Sequence, residues 1–189
     1  MINIGFIGTG LMGLPMAKNI FKSGFKLIAY NRSKEKLEPL KKCGVQIGSS
    51  IGYLVSSCEV VITMLTDDKA VDEVIGSKEF IDNLKAGSTV VDMSSTKPTT
   101  AIKHSNKLKL KNIDFLDAPV SGGTIGAKEA SLAIMVGGEK SVFNKVNKIL
   151  KTMGNPTLVG PSGSGQVSKL ANQIIVGLTI GAVAEAVTL

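Results

Sequence analysis

Few residues of this 189-residue chain are of a type and in a position suited to catalysis. Lys169 opens an otherwise apolar stretch, and Asn172 and Gln173 follow at i+3 and i+4, so the three share one face of a predicted helix. Lysine is seldom buried without cause. Partial burial would lower the pKa of Lys169 and make it a usable proton donor. The alternative is a lysine whose side chain extends from a helix end into solvent.

A second candidate is the segment DAPVSGG at 117–123, which follows a predicted strand. The Ser121 hydroxyl and the amides of Gly122 and Gly123 have the spacing of a small anion-binding nest, suited to a substrate carboxylate. The alternative is a turn capped by serine. The chain has no G-x-S-x-G nucleophile motif and no cluster of metal-ligand residues, so we expect no metal site. His104, the only histidine, lies among lysines and is expected on the solvated surface.

A glycine pattern near the start predicts dinucleotide binding. Residues 8–13 read G-x-G-x-x-G between a strand pattern and a helix pattern, and the six are Gly8, Thr9, Gly10, Leu11, Met12 and Gly13. The first glycine permits the tight turn, the second admits a pyrophosphate to the backbone, and the third lets helix and strand pack closely. The alternative is a purely structural glycine-rich turn.

The end of the second predicted strand indicates which dinucleotide binds. A carboxylate there would accept the ribose hydroxyls of NAD, but this chain has Asn31, Arg32 and Ser33. Arg32 can pair with a 2′-phosphate, and its two neighbours can donate hydrogen bonds to it. We therefore predict that the cofactor is NADP(H), with NAD(H) as the alternative. If Arg32 is only an arginine in a surface turn, it indicates no preference between the two cofactors.

The elements that must position these residues alternate along the chain. Apolar strand patterns separated by helical patterns predict a doubly wound, Rossmann-type α/β domain with a mostly parallel sheet over residues 1–162. Residues 163–189 predict the start of a long helix. The predicted strands are 2–7, 26–30, 59–64, 88–92, 113–117, 131–136 and 156–159, and the helices are 11–23, 34–42, a stretch from about Asp68, 98–109 and 139–152.

Charge and composition narrow the partners. The net charge is +7, and no acidic residue lies between Asp92 and Asp114, a stretch that contains Lys97, Lys103, Lys107, Lys109 and Lys111. A nucleic-acid patch is one interpretation, and a solvated helix face is the one we favour. The low aromatic content, 4 %, argues against stacking on single-stranded nucleic acid. Cys43 and Cys58, without C-x-x-C spacing, indicate reduced thiols and a cytoplasmic location.

Several motifs in order resemble the β-hydroxyacid dehydrogenase family, which includes 3-hydroxyisobutyrate dehydrogenase and tartronate semialdehyde (2-hydroxy-3-oxopropionate) reductase. The motifs are GFIGTGLMGLPMAKNI from Gly5, ITML at 62–65, DMSST at 92–96, DAPVSGG at 117–123, MVGG at 135–138 and GSGQVSKLANQ at 163–173. The KLANQ form is most similar to the tartronate semialdehyde reductases, because 3-hydroxyisobutyrate enzymes typically carry asparagine at the position of Gln173. Ala130-Ser131 departs from the family's usual Gly-Thr and leaves the local turn open.

The resemblance implies site roles. Met64, Leu65 and Thr96 would line the cofactor site, while Ser121, Gly122 and Gly123 would hold the substrate carboxylate. Lys169 would be the general acid–base, positioned with the substrate by Asn172 and Gln173. The implied activity is an NADP-dependent reduction of a small semialdehyde to its 3-hydroxy acid.

The resemblance also implies that the chain stops before an all-helical domain that builds much of a homodimer or homotetramer. Residues 174–189 are then a helix lacking its packing partners, and polar Asn172, Gln173 and Glu185 argue against a membrane span. Two alternatives remain. One is a non-catalytic cofactor-binding module of a nucleic-acid-associated protein, which we do not expect. The other is a 6-phosphogluconate-type dehydrogenase, which would need a histidine beside the catalytic lysine.

Overall fold

The computed structural model describes residues 2–189; Met1, where the predicted first domain begins, lies outside them. Nine strands and nine helices, with one 3₁₀ turn at Lys34–Leu37, alternate along these residues. The strands are β1 Asn3–Ile7, β2 Lys26–Tyr30, β3 Gln46–Ile47, β4 Val60–Thr63, β5 Thr89–Asp92, β6 Asp114–Asp117, β7 Val120–Ser121, β8 Leu132–Gly137 and β9 Gly154–Gly160. The helices are α1 Gly13–Lys22, α2 Glu38–Lys41, α3 Ile51–Ser57, α4 Asp68–Ile75, α5 Lys78–Asn83, α6 Pro98–Lys109, α7 Gly123–Glu129, α8 Lys140–Leu150 and α9 Ser164–Thr188.

One sheet joins all the strands in the order β3-β2-β1-β4-β5-β6-β8-β7, with β9 on the other side of β8. From β3 to β6 every pair is parallel, whereas β8 runs antiparallel to β6 and β7 and parallel to β9. The chain passes from β1 outward to β2 and then returns to place β4 on the other side of β1. This reversal opens a crevice at the carboxyl ends of β1 and β4, where ligands bind in doubly wound folds. The predicted fold class is confirmed.

The strand residues alternate between two cores, one on each face of the sheet. Ile4 and Phe6 of β1 pack with α1 and its neighbours, and Ile7 packs on the opposite face with α3 and α4. Both faces are therefore covered, which explains why these strands read as continuous apolar runs in the sequence. Gly5 lies where α3 crosses most closely, since a β-carbon there would overlap the Leu54 side chain.

The elements that the sequence pattern did not predict are short. The strand β3 has two residues, β7 has two, and the helices α3, α5 and α7 have six or seven each. Such elements carry too few turns or alternations to show a period and form because neighbouring elements hold them. Ser50 and Ser77 cap α3 and α5 by accepting hydrogen bonds from the Tyr53 and Phe80 amides.

The departure at Ala130 has a clear backbone consequence. Ala130 ends α7 in the left-handed region, with φ +56°, and the Ser131 amide donates to the Gly126 carbonyl at 2.9 Å. A residue with a β-carbon pays about 1–2 kcal/mol for this conformation, which glycine adopts freely. The turn needed to enter β8 therefore forms without the family's usual glycine.

The expectation of a solvated His104 is wrong. The His104 side chain is 1 % exposed, packed where α6 meets α4, and its Nε2 lies 2.7 Å from Asp72 Oδ1. Within residues 2–189 its Nδ1 has no hydrogen-bond partner. The lysines that suggested a surface position surround it on α6, but the helix presents the histidine to the core beside Ala101 and Leu108. Burial lowers the pKa of His104 despite the neighbouring carboxylate.

Helix α9 leaves the domain after its first turns. Only Gly165 and Gln166 of this helix are buried, and every residue from Gln173 onward is exposed. By length and apolar composition alone it is the one helix of the described residues able to cross a membrane, and none of its most apolar stretch is buried within the chain.

The neutral, buried His104 predicts acid sensitivity. Its native pKa lies below 6.5, the value expected when unfolded, so the unfolded chain binds more protons as the pH falls. The free energy of unfolding should therefore decline as the pH drops below about 6.5. His104→Gln, which keeps a donor toward Asp72 and cannot titrate, should not show this component. Urea unfolding of both forms between pH 5 and pH 8 measures it, and parallel stability curves would contradict it.

Candidate functional site

The glycine turn has the geometry that its spacing predicted. Gly8 adopts φ +99°, and a β-carbon there would overlap the Met64 carbonyl, so the turn requires glycine. A β-carbon at Gly13 would overlap the Gly8 carbonyl, which is the close helix–strand approach expected of the third glycine. At Gly10 the same position opens into empty space, which leaves the backbone accessible to a ligand at the start of α1.

Asn31 fixes this turn from the end of β2. Its Oδ1 accepts a hydrogen bond from the Thr9 amide at 3.0 Å, and its Nδ2 donates to the Ser33 carbonyl at 3.0 Å. Thr9 is buried, and its hydroxyl donates to the Lys36 carbonyl at 3.3 Å. Both polar ends of the Asn31 side chain are thus engaged within the protein, so Asn31 holds the glycine turn against the strand that carries Arg32.

A cavity of about 340 Å³ lies along the carboxyl ends of β1, β2 and β4. It brings together seven of the predicted cofactor residues: Gly8, Gly10, Asn31, Arg32, Ser33, Met64 and Leu65. Lys36, which the sequence reasoning missed, adds a second cation to the lining, and Glu73 of α4 also lines the cavity. Lys36 lies three residues after Ser33 in a 3₁₀ turn. Such a short turn has no sequence period from which the position of the lysine could be predicted.

The remaining predicted cofactor residues lie outside this cavity. Leu11 is 84 % exposed beside Gly10, whereas Met12 is half-buried and Gly13 and Thr9 are buried in the turn itself. Thr96 lies farther along the crevice, in a smaller cavity of about 210 Å³ that also contacts Lys169 and Gln173. Arg32 and Lys36 line the larger cavity and Lys169 the smaller one, and the Leu65 amide, which donates to the Ser94 hydroxyl at 2.9 Å, links the larger cavity to the loop that carries Thr96.

The structure brings the predicted catalytic residues together. The Lys169 Nζ donates to the Gln173 Oε1 at 2.7 Å, and Asn172 Nδ2 lies 3.3 Å from the same oxygen. Asn172 Nδ2 also donates to the Ser121 hydroxyl at 3.2 Å, which joins α9 to the segment after β6. Desolvation lowers the pKa of Lys169. Gly122 and Gly123 follow Ser121 with φ +130° and +61°, and both are exposed. The helix α7 begins at Gly123, next to this cluster.

Two buried side chains that the sequence reasoning did not single out hold α9 in this place. Asp117, at the end of β6, accepts hydrogen bonds from the Gly163 amide at 2.7 Å and the Gln166 amide at 3.0 Å. Gln166 in turn uses its side-chain amide to bind the loop after β5. Burial raises the pKa of Asp117, while these amides favour its ionised form. Two features of the sequence could have identified these residues. Asp117 is the first residue of the motif DAPVSGG, and Gln166 lies between Gly165 and Lys169.

Asp92 lies under the same loop at the end of β5. Its Oδ1 accepts hydrogen bonds from the Ser94 hydroxyl at 2.6 Å and the Thr63 hydroxyl at 2.8 Å. Its Oδ2 has no partner among the residues that the structure describes. Burial raises the pKa of Asp92 to about 6, although both hydroxyl hydrogen bonds favour the carboxylate. Asp92 therefore shapes the loop from below and does not reach the crevice.

The lysine-rich segment is tied to the rest of the domain. Lys103 pairs with Asp72 at 3.0 Å, Lys107 donates to the Gly76 carbonyl at 3.1 Å, and Lys111 lies 3.7 Å from Asp82. Three of its lysines thus have partners on the helices α4 and α5 and the turn between them. These contacts account for the segment as a charged helix face and lend no support to a nucleic-acid surface.

Comparison with known proteins supports the same picture. A family described as the NAD binding domain of 6-phosphogluconate dehydrogenase matches residues 3–168. An uncharacterized oxidoreductase of Bacillus subtilis, YkwC, is 43 % identical over 185 residues, which is 97 % of this chain and 64 % of that protein. The 2-hydroxy-3-oxopropionate reductase of Escherichia coli is 40 % identical over 187 residues, covering 98 % of this chain and 64 % of that enzyme.

A solved structure gives the same correspondence. The 3-hydroxyisobutyrate dehydrogenase of Mycobacterium tuberculosis, solved with L-serine, superposes with a TM-score of 0.94 at 30 % identity, over 98 % of this chain and 64 % of that one. The chain thus spans somewhat less than two thirds of the length of these relatives.

Removal of the Asp117 carboxylate should loosen α9. Asp117→Ala leaves the Gly163 and Gln166 amides buried without an acceptor, which costs about 1–3 kcal/mol of unfolding free energy. The matched control is Asp114→Ala on the same strand, which removes a partly exposed pair with Lys145 and should cost less than about 1 kcal/mol. Chemical denaturation compares the two, and hydrogen exchange at the Gly163 amide localises the effect. Equal stability of both variants would show that the cap is unimportant.

Proposed function

This chain belongs to the family of the NAD binding domain of 6-phosphogluconate dehydrogenase, and we propose that it forms the cofactor-binding and proton-transferring part of an NADP-dependent reductase. The substrates are small semialdehydes, which the enzyme interconverts with their 3-hydroxy acids. The observation that carries the proposal is the hydrogen-bonded cluster of Lys169, Gln173, Asn172 and Ser121, of which Lys169 and Gln173 line the cavity of Thr96.

The residues of the crevice fit a phosphorylated dinucleotide. The open space at Gly10 admits a pyrophosphate to the first turn of α1, where free amides and the helix dipole favour an anion. Arg32 and Lys36 are both exposed in the wall of the 340 Å³ cavity, at the end where a ribose 2′-phosphate would lie. Two cations without a carboxylate at the end of β2 favour NADP(H) over NAD(H).

Lys169 has the surroundings of a general acid. In reduction the Nζ donates a proton to the oxygen of the substrate carbonyl, and in oxidation it takes the proton back. Desolvation lowers its pKa, and the Gln173 carbonyl oxygen orients the Nζ without a neutralising negative charge. When bound, the nicotinamide supplies the hydride for reduction or accepts it in oxidation.

The segment after β6 supplies the substrate anchor in this proposal. The Ser121 hydroxyl is held by Asn172, close to Lys169 in the chain, and with the exposed Gly122 and Gly123 it would suit a carboxylate. Gln173, which is hydrogen-bonded to Lys169, would contact the substrate beside this anchor. A fixed carboxylate would present the neighbouring carbonyl to Lys169 in one orientation, which is a large part of the rate gain in such sites. The relative solved with L-serine, a small hydroxy-bearing carboxylic acid, is consistent with this substrate class.

Two substrates are the foremost candidates. Tartronate semialdehyde is favoured by the KLANQ segment and by 40 % identity to the reductase of that substrate, 2-hydroxy-3-oxopropionate reductase. Methylmalonate semialdehyde, the partner of 3-hydroxyisobutyrate, is favoured by the structural likeness to a dehydrogenase of that acid. NADPH oxidation against each, with succinate semialdehyde for comparison, ranks them by kcat/KM. Assembly as a homodimer or homotetramer and a cytoplasmic location belong to the same proposal.

Lys169 substitutions test the chemical role. Lys169→Ala should lower kcat about 10²–10⁴-fold, because the proton donor is lost. Lys169→Arg keeps the positive charge but holds its proton too tightly to donate it, so it should be nearly as slow. Lys148→Ala, on the exposed face of α8, is the control and should leave kcat unchanged. Stopped-flow or steady-state NADPH oxidation measures all three, and near-normal turnover by either Lys169 variant would refute the assigned role.

Cofactor preference tests the cation pair. Arg32→Ala should raise the KM for NADPH about 10–100-fold, since a charge-assisted contact contributes about 1.5–3 kcal/mol, and should leave the KM for NADH within a factor of about three. Lys36→Ala should act in the same direction. Lys22→Ala, at the exposed end of α1, is the matched control. Preferential use of NADH by the unaltered protein would overturn the NADP assignment while leaving the dinucleotide site intact.

A further inference from the structure

Gln166 is a buried amide that joins three parts of the site. Its side chain is 1 % exposed, its Oε1 accepts a hydrogen bond from the Thr96 amide at 3.0 Å, and its Nε2 donates to the Ser94 carbonyl at 2.8 Å. Its own backbone amide donates to Asp117 Oδ2 at 3.0 Å. The Gln166 side chain thus accepts one hydrogen bond from the loop 94–96 and donates one to it.

That loop is also part of the cofactor crevice. The Ser94 hydroxyl accepts a hydrogen bond from the Leu65 amide at 2.9 Å, and Leu65 lines the 340 Å³ cavity at the end of β4. Asp92 holds the same hydroxyl from below. A continuous set of hydrogen bonds thus runs from the wall of the cofactor cavity, through Ser94, to the first turn of α9.

Lys169 lies one helical turn beyond Gln166, on the same side of α9, and contacts the small cavity that Thr96 lines. Among the residues that the structure describes, the Lys169 Nζ has one hydrogen bond, to Gln173 on its own helix, and this bond does not fix where the helix stands relative to the crevice. Asp117 caps the first turn of α9 and Asn172 ties a later turn to Ser121, but neither contact reaches the loop 94–96. Among residues 2–189, the side-chain hydrogen bonds from this first turn to the loop are those of Gln166.

We propose that Gln166 is a positioning residue that registers the Lys169 helix against the cofactor-site loop 94–96. The inference rests on the proposed function for its kinetic consequence, but its structural part concerns the cofactor-free chain. Loss of this contact lets α9 shift by a fraction of its pitch, and a misplacement of about 1 Å at a reacting group is enough to cost up to about 10²-fold in rate.

The test compares three substitutions. Gln166→Met keeps the length and apolar volume but makes neither hydrogen bond to the loop. Gln166→Glu keeps the acceptor for Thr96 and, only when protonated, regains a donor for the Ser94 carbonyl. Gln46→Met is the matched control, because Gln46 is an exposed glutamine that donates to the Tyr53 hydroxyl at 2.8 Å and lines neither of the two cavities.

The kinetic measurement separates positioning from binding. Gln166→Met should lower kcat about 10–100-fold while the KM values for NADPH and semialdehyde stay within a factor of about three. The ratio of kcat in Gln166→Glu to kcat in the unaltered protein should rise toward one as the pH falls. The same ratio for Gln166→Met should stay low at every pH. A uniform rise in KM without a fall in kcat would overturn the proposal.

A second measurement needs neither cofactor nor substrate. Acetylation of Lys169 by trace acetic anhydride, followed by mass spectrometry across pH with Lys148 as internal reference, reports the surroundings of its Nζ. In Gln166→Met the Lys169 profile should shift toward that of Lys148, and in Gln46→Met it should not. An unchanged profile in Gln166→Met, with only a lower unfolding temperature, would mean that Gln166 is structural. A shifted profile in a protein that reduces no semialdehyde would keep this inference and reject the proposed function.

Discussion

The interaction on which the site depends is the capping of α9 by the Asp117 carboxylate. A helix that begins inside a protein has first-turn amides with no acceptor in the helix. Each of these amides needs another acceptor, because a buried amide without one is destabilising. Asp117 supplies both acceptors at once, to Gly163 and Gln166, from the carboxyl end of β6. The helix therefore starts at the edge of the sheet where the parallel strands end, and Lys169 follows within the same crevice.

This cap imposes glycines on both sides of the contact. A β-carbon at Gly165 would overlap the Met135 carbonyl, and one at Gly137 would approach both Asp117 oxygens and the Gly165 amide. The helix start, the end of β8 and the end of β6 thus meet at backbone distance, which only glycine allows. The motifs MVGG and GSGQVSK are far apart in the sequence, yet one packing constraint accounts for a glycine of each, Gly137 and Gly165.

The sequence was informative where a local pattern decides the structure. Residues 26–30 and 98–109 form the predicted strand and helix with the same bounds, because each has an unbroken period and clear ends. The glycine turn was predicted from spacing alone. The sequence was uninformative where a distant partner decides whether a polar side chain is buried. His104 is buried against Asp72, and Gln166 is hydrogen-bonded to Thr96, 70 positions away. Polarity predicts exposure unless the partner is known, and a single sequence does not name the partner.

Two carboxylates near the site, Asp92 and Asp117, are buried, whereas Glu73 and Asp68 line its two cavities. Asp92 and Asp117 lie beneath the crevice, where hydroxyls bind one oxygen of Asp92 and backbone amides bind both oxygens of Asp117, so neither carboxylate lines either cavity. The cations Arg32, Lys36 and Lys169 lie at its open side. A carboxylate in contact with Lys169 would stabilise its ammonium form and raise its pKa, whereas the neutral amide of Gln173 orients the Nζ and leaves desolvation to lower that pKa. The amide at this position therefore orients the Lys169 Nζ without adding a negative charge that would raise its pKa.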